Sequence, residues 1–176
     1  MAKKRNWMDI KAILESNGIK KLYHFTDRDN LESIIQQGGL YSWGDCEEKG
    51  IKISKPGGGQ LSRNLDTRDG LQHFVRVSFT TSHPMMYVAM NDGRISNPVI
   101  LEIDPEVAYW EDSIYADRNA TKNGCHKGGT LDDFKRIHFN SVKAGKHFDL
   151  PPEEQPFYPE DRLIPGEVGS PEYRGW

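Results

Sequence analysis

The hydrophobic positions change period twice within the first forty residues. Trp7, Ile10 and Leu14 recur at helical spacing and Asn17-Gly18 supplies a left-handed stop, so the pattern predicts an amphipathic helix over residues 7–16. From Ile19 to Phe25 (IKKLYHF) polar and apolar residues alternate, which predicts a strand ended by Thr26. The Thr26 hydroxyl stands where it can cap a following helix, with Asp29 three positions on in the manner of a capping box. Leu31, Ile34 and Ile35 then form the apolar face of that helix, Gly38-Gly39 stop it, and Leu40 and Tyr41 begin another buried piece.

From Gly44 to Gly70 the pattern is lost among Gly, Lys, Asp and Ser, and the stretch reads as one long surface loop and candidate lid. The alternation returns in HFVRVSFTT, where Phe74, Val75, Val77 and Phe79 mark a strand. A helix opening at Pro84 and stopping near Gly93 follows, and NPVILEID reads as a buried strand closed by Pro105. TLDDFKRI predicts a capped helical turn, with Thr130 as cap and Asp133 three residues on. The Pro-rich DLPPEEQPFYPED leads irregularly to a last short strand, RLIPG. Short strands, few long helices and long connections define an α+β chain, without a fixed-period repeat or an evident linker.

A chain of 176 residues, 36% hydrophobic and 28% charged, has the balance of one folded domain over residues 1–176. No apolar run approaches the roughly 20 residues that cross a bilayer, and MAKKRNWMDIKAILE lacks the hydrophobic stretch of a signal peptide. A cytoplasmic protein with no membrane partner is expected. Cys46 and Cys125, far apart and without C-x-x-C spacing, read as free thiols. The net charge of -3 argues against gripping duplex nucleic acid through bulk positive charge, although a local basic groove stays open. Lys3, Lys4 and Arg5 read as a solvated terminus.

His24 is the first residue that a purely structural segment does not require. Thr26, two positions on, shares its face by strand period, so a ring nitrogen and a hydroxyl can meet one ligand; a packed, hydrogen-bonded histidine is the alternative. The other histidines have no zinc-ligand spacing, and no metal is expected. Walker, G-x-S-x-G and G-x-G-x-x-G patterns are missing, which removes the usual nucleotide cradles and the serine elbow. Arg63 and Arg68 flank NLD, where a guanidinium can clamp a pyrophosphate or simply pair with neighbouring acids. Carboxylates concentrate at Glu153-Glu154 and Glu160-Asp161.

Taken together, LYHFTDRDNLESIIQQGGLYS, SRNLDTRDGLQHFVRVSFTTSHPMMYVAMNDG, NPVILEID and YADRNATKNG with GGTLDDFKRI resemble the DarT family, bacterial toxins that ADP-ribosylate bases in single-stranded DNA. The resemblance runs from about Leu22 to Val168. It implies an ADP-ribosyltransferase-like fold, two small mixed β-sheets around an NAD cleft with flanking helices, and a glycosyltransferase-class enzyme with NAD as co-substrate. By it His24 and Thr26 hold the adenosine and ribose side of NAD, Asn30 joins the cofactor-binding set at the start of the following helix, and Arg63 clamps the phosphates and assists the base being modified. Asn119 helps to position the nucleotide, and Met85 and Tyr87, with Met86 between them, line the floor of the site; a plain core role for the two methionines stays open.

A carboxylate on the last strand stabilises the sugar cation in such a site. Members carry QAE before an apolar triplet, whereas alignment on LIPGEV puts Asp161 at the acid position, Pro159 at the glutamine and Glu160 on the opposite face. Aspartate is one methylene shorter, about an ångström of reach. That departure keeps a second reading open, a module of the same fold with weakened or lost catalysis. Transfer to RNA or protein is a third. The resemblance also implies single-stranded DNA as target and a macrodomain antitoxin that removes the ADP-ribose.

Overall fold

A computed structural model describes residues 1–82, 84–118, 120, 124–144, 149–157 and 167–170. Helix α1, Trp7–Ser16, has the expected bounds, with Ile10 and Leu14 fully buried and Gly18 in the left-handed region after it. Strand β1, Leu22–Asp27, runs past Thr26. Capping therefore passes to Asp27, whose carboxylate accepts from the Asp29 N–H (3.0 Å) at the head of a 3-10 turn, Arg28–Asn30. Helix α2, Leu31–Gln36, is short; Ile34 packs against the core but Ile35 is 67% exposed, because six residues complete fewer than two turns.

The stretch expected as a loop contains two helices. Helix α3, Trp43–Lys49, starts at Ser42, whose hydroxyl accepts from the Asp45 N–H (3.1 Å), and ends at Gly50 (φ 65°). Helix α4, Gln60–Arg68, carries Arg63. Strand β2 is Val75–Ser78, helix α5 Pro84–Asn91, and strand β3 Pro98–Ile103. The apolar run of β3 suggested a buried strand, yet β3 is an edge strand with Ile100 39% exposed. Strands β4, Ile114–Ala116, and β5, Lys127–Gly128, precede helix α6, Leu131–Lys135, which has the expected capping box between Thr130 and Asp133. Helix α7 is Phe139–Lys143. The last described strand, β6, is Glu167–Ser170; RLIPG lies outside the described residues.

The strands follow the order β3-β1-β2-β6-β4-β5, and every described pairing is antiparallel, not mixed. The pair β3-β1 is continuous from Leu22↔Ile103 to Asp27↔Pro98, and β2-β6-β4-β5 forms the second half. Among the described residues one ladder pair, Tyr23↔Ser78, joins the halves, and a cleft opens beside it.

One face of the second half covers the main core, where Val75, Val77 and Tyr115 meet Phe79, Phe134 and Phe139. Tilted and edge contacts hold the aromatics, with Tyr115 and Phe134 at 4.8 Å and 68°. The Tyr115 hydroxyl donates to the Ala108 carbonyl (2.6 Å). Lys4 belongs to this side too: 8% exposed, it donates through Nζ to the Glu111 carbonyl (2.7 Å), and its backbone N–H donates to Tyr109. The amino-terminal basic residues are thus packed structure at Lys4, where a solvated terminus was expected. Both cysteines are free, Cys46 buried and Cys125 half-buried. Among the described residues no helix is long and apolar enough to cross a membrane.

Candidate active site

The cleft has a volume of about 240 Å³. Its floor is β1 from Tyr23 to Thr26; its walls come from α2, α3, the connection through Lys55 to Gly58, α4 and the start of β2. The connection approaches β1 closely. A Cβ on Gly57 would stand 3.3 Å from the Phe25 ring and 3.5 Å from Ile95, and the Gly57 carbonyl is held by the Arg94 guanidinium.

His24 is half-buried, and its Nδ1–H donates to the Arg76 carbonyl (2.8 Å). A carbonyl only accepts, so this bond fixes the tautomer and leaves the lone pair on Nε2. Burial lowers the His24 pKa, partly opposed by the bond to Arg76, and the ring is accordingly neutral. Thr26 Oγ1 accepts from Asn30 Nδ2 (3.0 Å) and keeps its own hydroxyl proton to donate. Asn30 is committed further: Nδ2 also reaches the Lys55 carbonyl (2.8 Å), and Oδ1 accepts from the Lys55 N–H (3.0 Å). Its amide ties the 55–58 connection to β1, and Asn30 itself lines the cleft.

Two arginines enter the cleft with different commitments. Arg76 pairs with Asp66, a carboxylate 5% exposed that also accepts from Trp43 Nε1 (3.1 Å). Burial raises the Asp66 pKa, opposed by the Arg76 charge and both hydrogen bonds. Arg63 lies 5.2 Å over the Trp43 ring and pairs with Glu47 (3.0 Å), whose side chain is 61% exposed. An exposed pair of this kind is weak and exchanges readily, so Arg63 is the arginine a ligand can recruit. With Lys52 and Lys55, the described residues of the lining hold four cations against one carboxylate, a field that suits an anion.

The remaining predicted residues divide. Met85 lines the cleft, Met86 is buried beneath it, and Tyr87 stands 55% exposed outside the lining. Arg68 pairs with Asp69 away from the cleft (2.8 Å). Asn119, Glu160 and Asp161 lie outside the described residues. Glu167 is the first residue of β6, in register with Ser78 and Ala116. Outside the cleft, Asp45, Glu48 and His73 bring ligand-type atoms within 4.8 Å of one another, with His73 Nδ1 2.7 Å from Asp45.

An antiparallel sheet that parts around a cationic cleft, with flanking helices and no glycine-rich phosphate loop, has the layout of an ADP-ribosyltransferase fold. The likeness extends to solved structures. Thermus sp. 2.9 DarT in complex with ADP-ribosylated ssDNA superposes with a TM-score of 0.64 at 16% identity, over 86% of this chain and 75% of that one. The same protein in complex with NAD+ gives 0.52 at 18% identity over the same shares. Thermosipho africanus DarTG in complex with ADP-ribose gives 0.58 at 21% identity, over 70% of this chain and 34% of that one. No curated protein matches the chain.

The family is given by the sequence profile. The chain belongs to the DarT family, described as ssDNA thymidine ADP-ribosyltransferase, whose profile matches residues 23–163.

Proposed function

We propose that this chain binds NAD in the cleft as co-substrate and transfers its ADP-ribose to thymidine in single-stranded DNA. The observation that carries the reading is the neutral, tautomer-fixed His24 beside Thr26, on the floor of a cleft whose walls supply four cations. A dinucleotide needs both: an acceptor and a donor for ribose hydroxyls, and positive charge for its pyrophosphate. The solved DarT complexes with NAD+ and with ADP-ribosylated ssDNA support the same assignment.

His24 Nε2 accepts from a ribose hydroxyl and Thr26 donates beside it, while Asn30 holds the wall that closes over them. Arg63 leaves Glu47 to meet the phosphates, and Trp43 keeps the guanidinium plane in place. In the transfer, the bond from the ribose anomeric carbon to the nicotinamide nitrogen breaks and its electron pair returns to the pyridine ring. A thymine ring nitrogen supplies the pair for the new carbon–nitrogen bond and gives its proton to a carboxylate. That carboxylate also stabilises the positive charge on the sugar. Glu167 is our assignment for it, because it is the acid on the strand between β2 and β4, in one cross-strand row with Tyr23 and Ser78.

Within this reading the chain acts as the toxin of a toxin–antitoxin pair, opposed by a macrodomain protein that removes the ADP-ribose, as the family resemblance implies. The test combines calorimetry with nicotinamide release. The wild-type protein binds NAD and releases nicotinamide when single-stranded DNA is added; Glu167→Gln retains binding and loses release by at least a hundredfold. Retained release in Glu167→Gln with loss in Asp161→Asn or Glu160→Gln returns the role to those residues. No NAD binding by the wild-type protein removes the function itself.

A further inference from the structure

Asp66 is the one carboxylate among the described residues of the cleft lining, a negative charge that works against the binding of an anion. Its two oxygens serve two different elements. Oδ2 accepts from Trp43 Nε1 on α3 (3.1 Å), and Oδ1 pairs with the Arg76 guanidinium on β2. Neutralising Arg76 accounts for a buried acid at this place, but not for its hold on Trp43. The indole is half-buried and lines the cleft, where its N–H could equally face water.

The contacts around Trp43 show what that hold controls. The backbone of α3 is moored without Asp66. The Gly44 N–H donates to the Gln72 carbonyl (3.0 Å), an approach so close that a Cβ on Gly44 would stand 2.7 Å from that oxygen. One residue further along each segment, His73 Nδ1 lies 2.7 Å from Asp45 Oδ1. These contacts leave open the rotation of the Trp43 side chain about its own bonds, and the bond to Asp66 fixes it. Arg63 stands three residues before Asp66 on α4, on the same side of the helix, with its guanidinium 5.2 Å from the centre of the indole. The ring is thus held at its edge by one residue of α4 and offers its face to another.

Resting on the function proposed above, we propose that Asp66 is a positioning residue for NAD: through the Trp43 indole it sets the plane in which the Arg63 guanidinium lies, and so aims Arg63 at the pyrophosphate. A guanidinium makes its paired bonds to phosphate in its own plane, so a ring that turns takes the fork out of line while the charge stays. The sign of the effect separates this role from charge balance. Removing a carboxylate makes the cleft more positive and, through the field alone, tightens its hold on an anion. Loss of positioning weakens that hold instead. In Asp66→Asn one oxygen is left for two donors; it stays with the charged Arg76, and the new NH2 meets the indole N–H.

The test is a double-mutant cycle read by calorimetry with NAD. Asp66→Asn is expected to weaken binding roughly tenfold when Arg63 is present, and by no more than about twofold in the Arg63→Ala background, where no guanidinium remains to be aimed. Trp43→Phe cuts the link from the other end and leaves the Asp66–Arg76 pair untouched; it should weaken binding with the same dependence on Arg63. The proton resonance of the Trp43 indole N–H, identified by its absence in Trp43→Phe, should shift in Asp66→Asn. Unchanged or tighter binding in Asp66→Asn, an equal loss with and without Arg63, or an indole resonance that stays in place overturns the proposal and leaves NAD binding intact. Should Asp66→Asn fail to fold, Trp43→Phe decides: no loss of affinity, or a loss that ignores Arg63, overturns it. A wild-type protein that binds no NAD removes the function proposed above and this role with it.

Discussion

Asparagine at position 27 is the substitution that asks most of the fold beside the cleft. Asp27 is fully buried, and its two carboxylate oxygens divide the work: Oδ1 accepts from the Asp29 N–H (3.0 Å), and Oδ2 accepts from the Ser96 (2.7 Å) and Asn97 (3.0 Å) N–H groups. It thereby fixes the end of β1, next to Thr26, to the turn that enters β3. An asparagine has one oxygen. If that oxygen stays on the Ser96 side, an amide NH2 faces the Asp29 N–H, and one buried donor loses its partner at a cost of about 1–3 kcal/mol. The two remaining bonds lose their charge assistance, roughly 1 kcal/mol each. Asp27→Asn should therefore lower the unfolding free energy by about 3–5 kcal/mol at pH 7, out of the 5–15 kcal/mol typical of a domain.

Urea unfolding reads this directly, with an unchanged slope confirming that the variant unfolds to the same extent. Acid supplies a second arm. The N–H groups of Asp29 and Asn97, with Ser96, lower the Asp27 pKa from 3.8 to about 2 against the effect of burial. A folded value below the unfolded one contributes stability fully present above pH 3.8 and lost as pH falls through about 2. The gap between wild type and Asp27→Asn should narrow over that window. A loss below 1 kcal/mol at pH 7, or a gap that ignores pH between 5 and 2, would refute the reasoning.

Other predictions concern the cleft and its supports. His24→Ala should weaken NAD binding at least tenfold by calorimetry, whereas His24→Gln, which retains an acceptor, should lose less; equal affinity in all three proteins would remove the Nε2 contact. Arg63→Lys keeps the charge but not the fork or the Trp43 stack, and should raise the Kd for NAD roughly tenfold, a loss that lysine must not escape if the contact is bidentate. Trp43→Phe keeps a ring under Arg63 and deletes the donor to Asp66; a stability loss of about 1–2 kcal/mol is expected, and none at all would mean that Asp66 finds an equal partner elsewhere. Phe157 stacks on His138 (3.6 Å, 8°) and meets the Arg118 guanidinium at 4.6 Å. Phe157→Ala should cost about 1–3 kcal/mol in thermal or urea unfolding, and an unchanged midpoint would count against that clamp.

Much of this fold was legible because local rules and tertiary packing agreed. Helix α1 and the Thr130 capping box need only their own residues, and both stand as the sequence predicts. The sequence misled where a partner decides. Asp27, not Thr26, caps the turn after β1, since the strand runs one residue further to pair with Pro98. Helices α3 and α4 were hidden by the polar, Gly-rich stretch around them; α4 buries Asp66, not an apolar face, so no hydrophobic period announced it. Ile100 belongs to an apolar run yet lies at the sheet edge, a position set by strand order and invisible to hydropathy.

The site shows the same division. His24, Thr26 and Arg63 were readable as types in a pattern, and all three line the cleft. The Asp66–Arg76–Trp43 network was not, because its members are 43, 66 and 76 in sequence and only the packing of α3 and α4 on β2 joins them. Strand β6, Glu167–Ser170, was not announced by the sequence, because a short run with a glycine inside it has a weak strand signature.

Intact-mass analysis of a single-stranded oligonucleotide with one thymidine, incubated with the protein and NAD, tests the central claim most directly. The account predicts a gain of one ADP-ribosyl group on that oligonucleotide, matched by an equal amount of free nicotinamide and lost when the thymidine is replaced. An oligonucleotide of unchanged mass, with NAD intact, would contradict it.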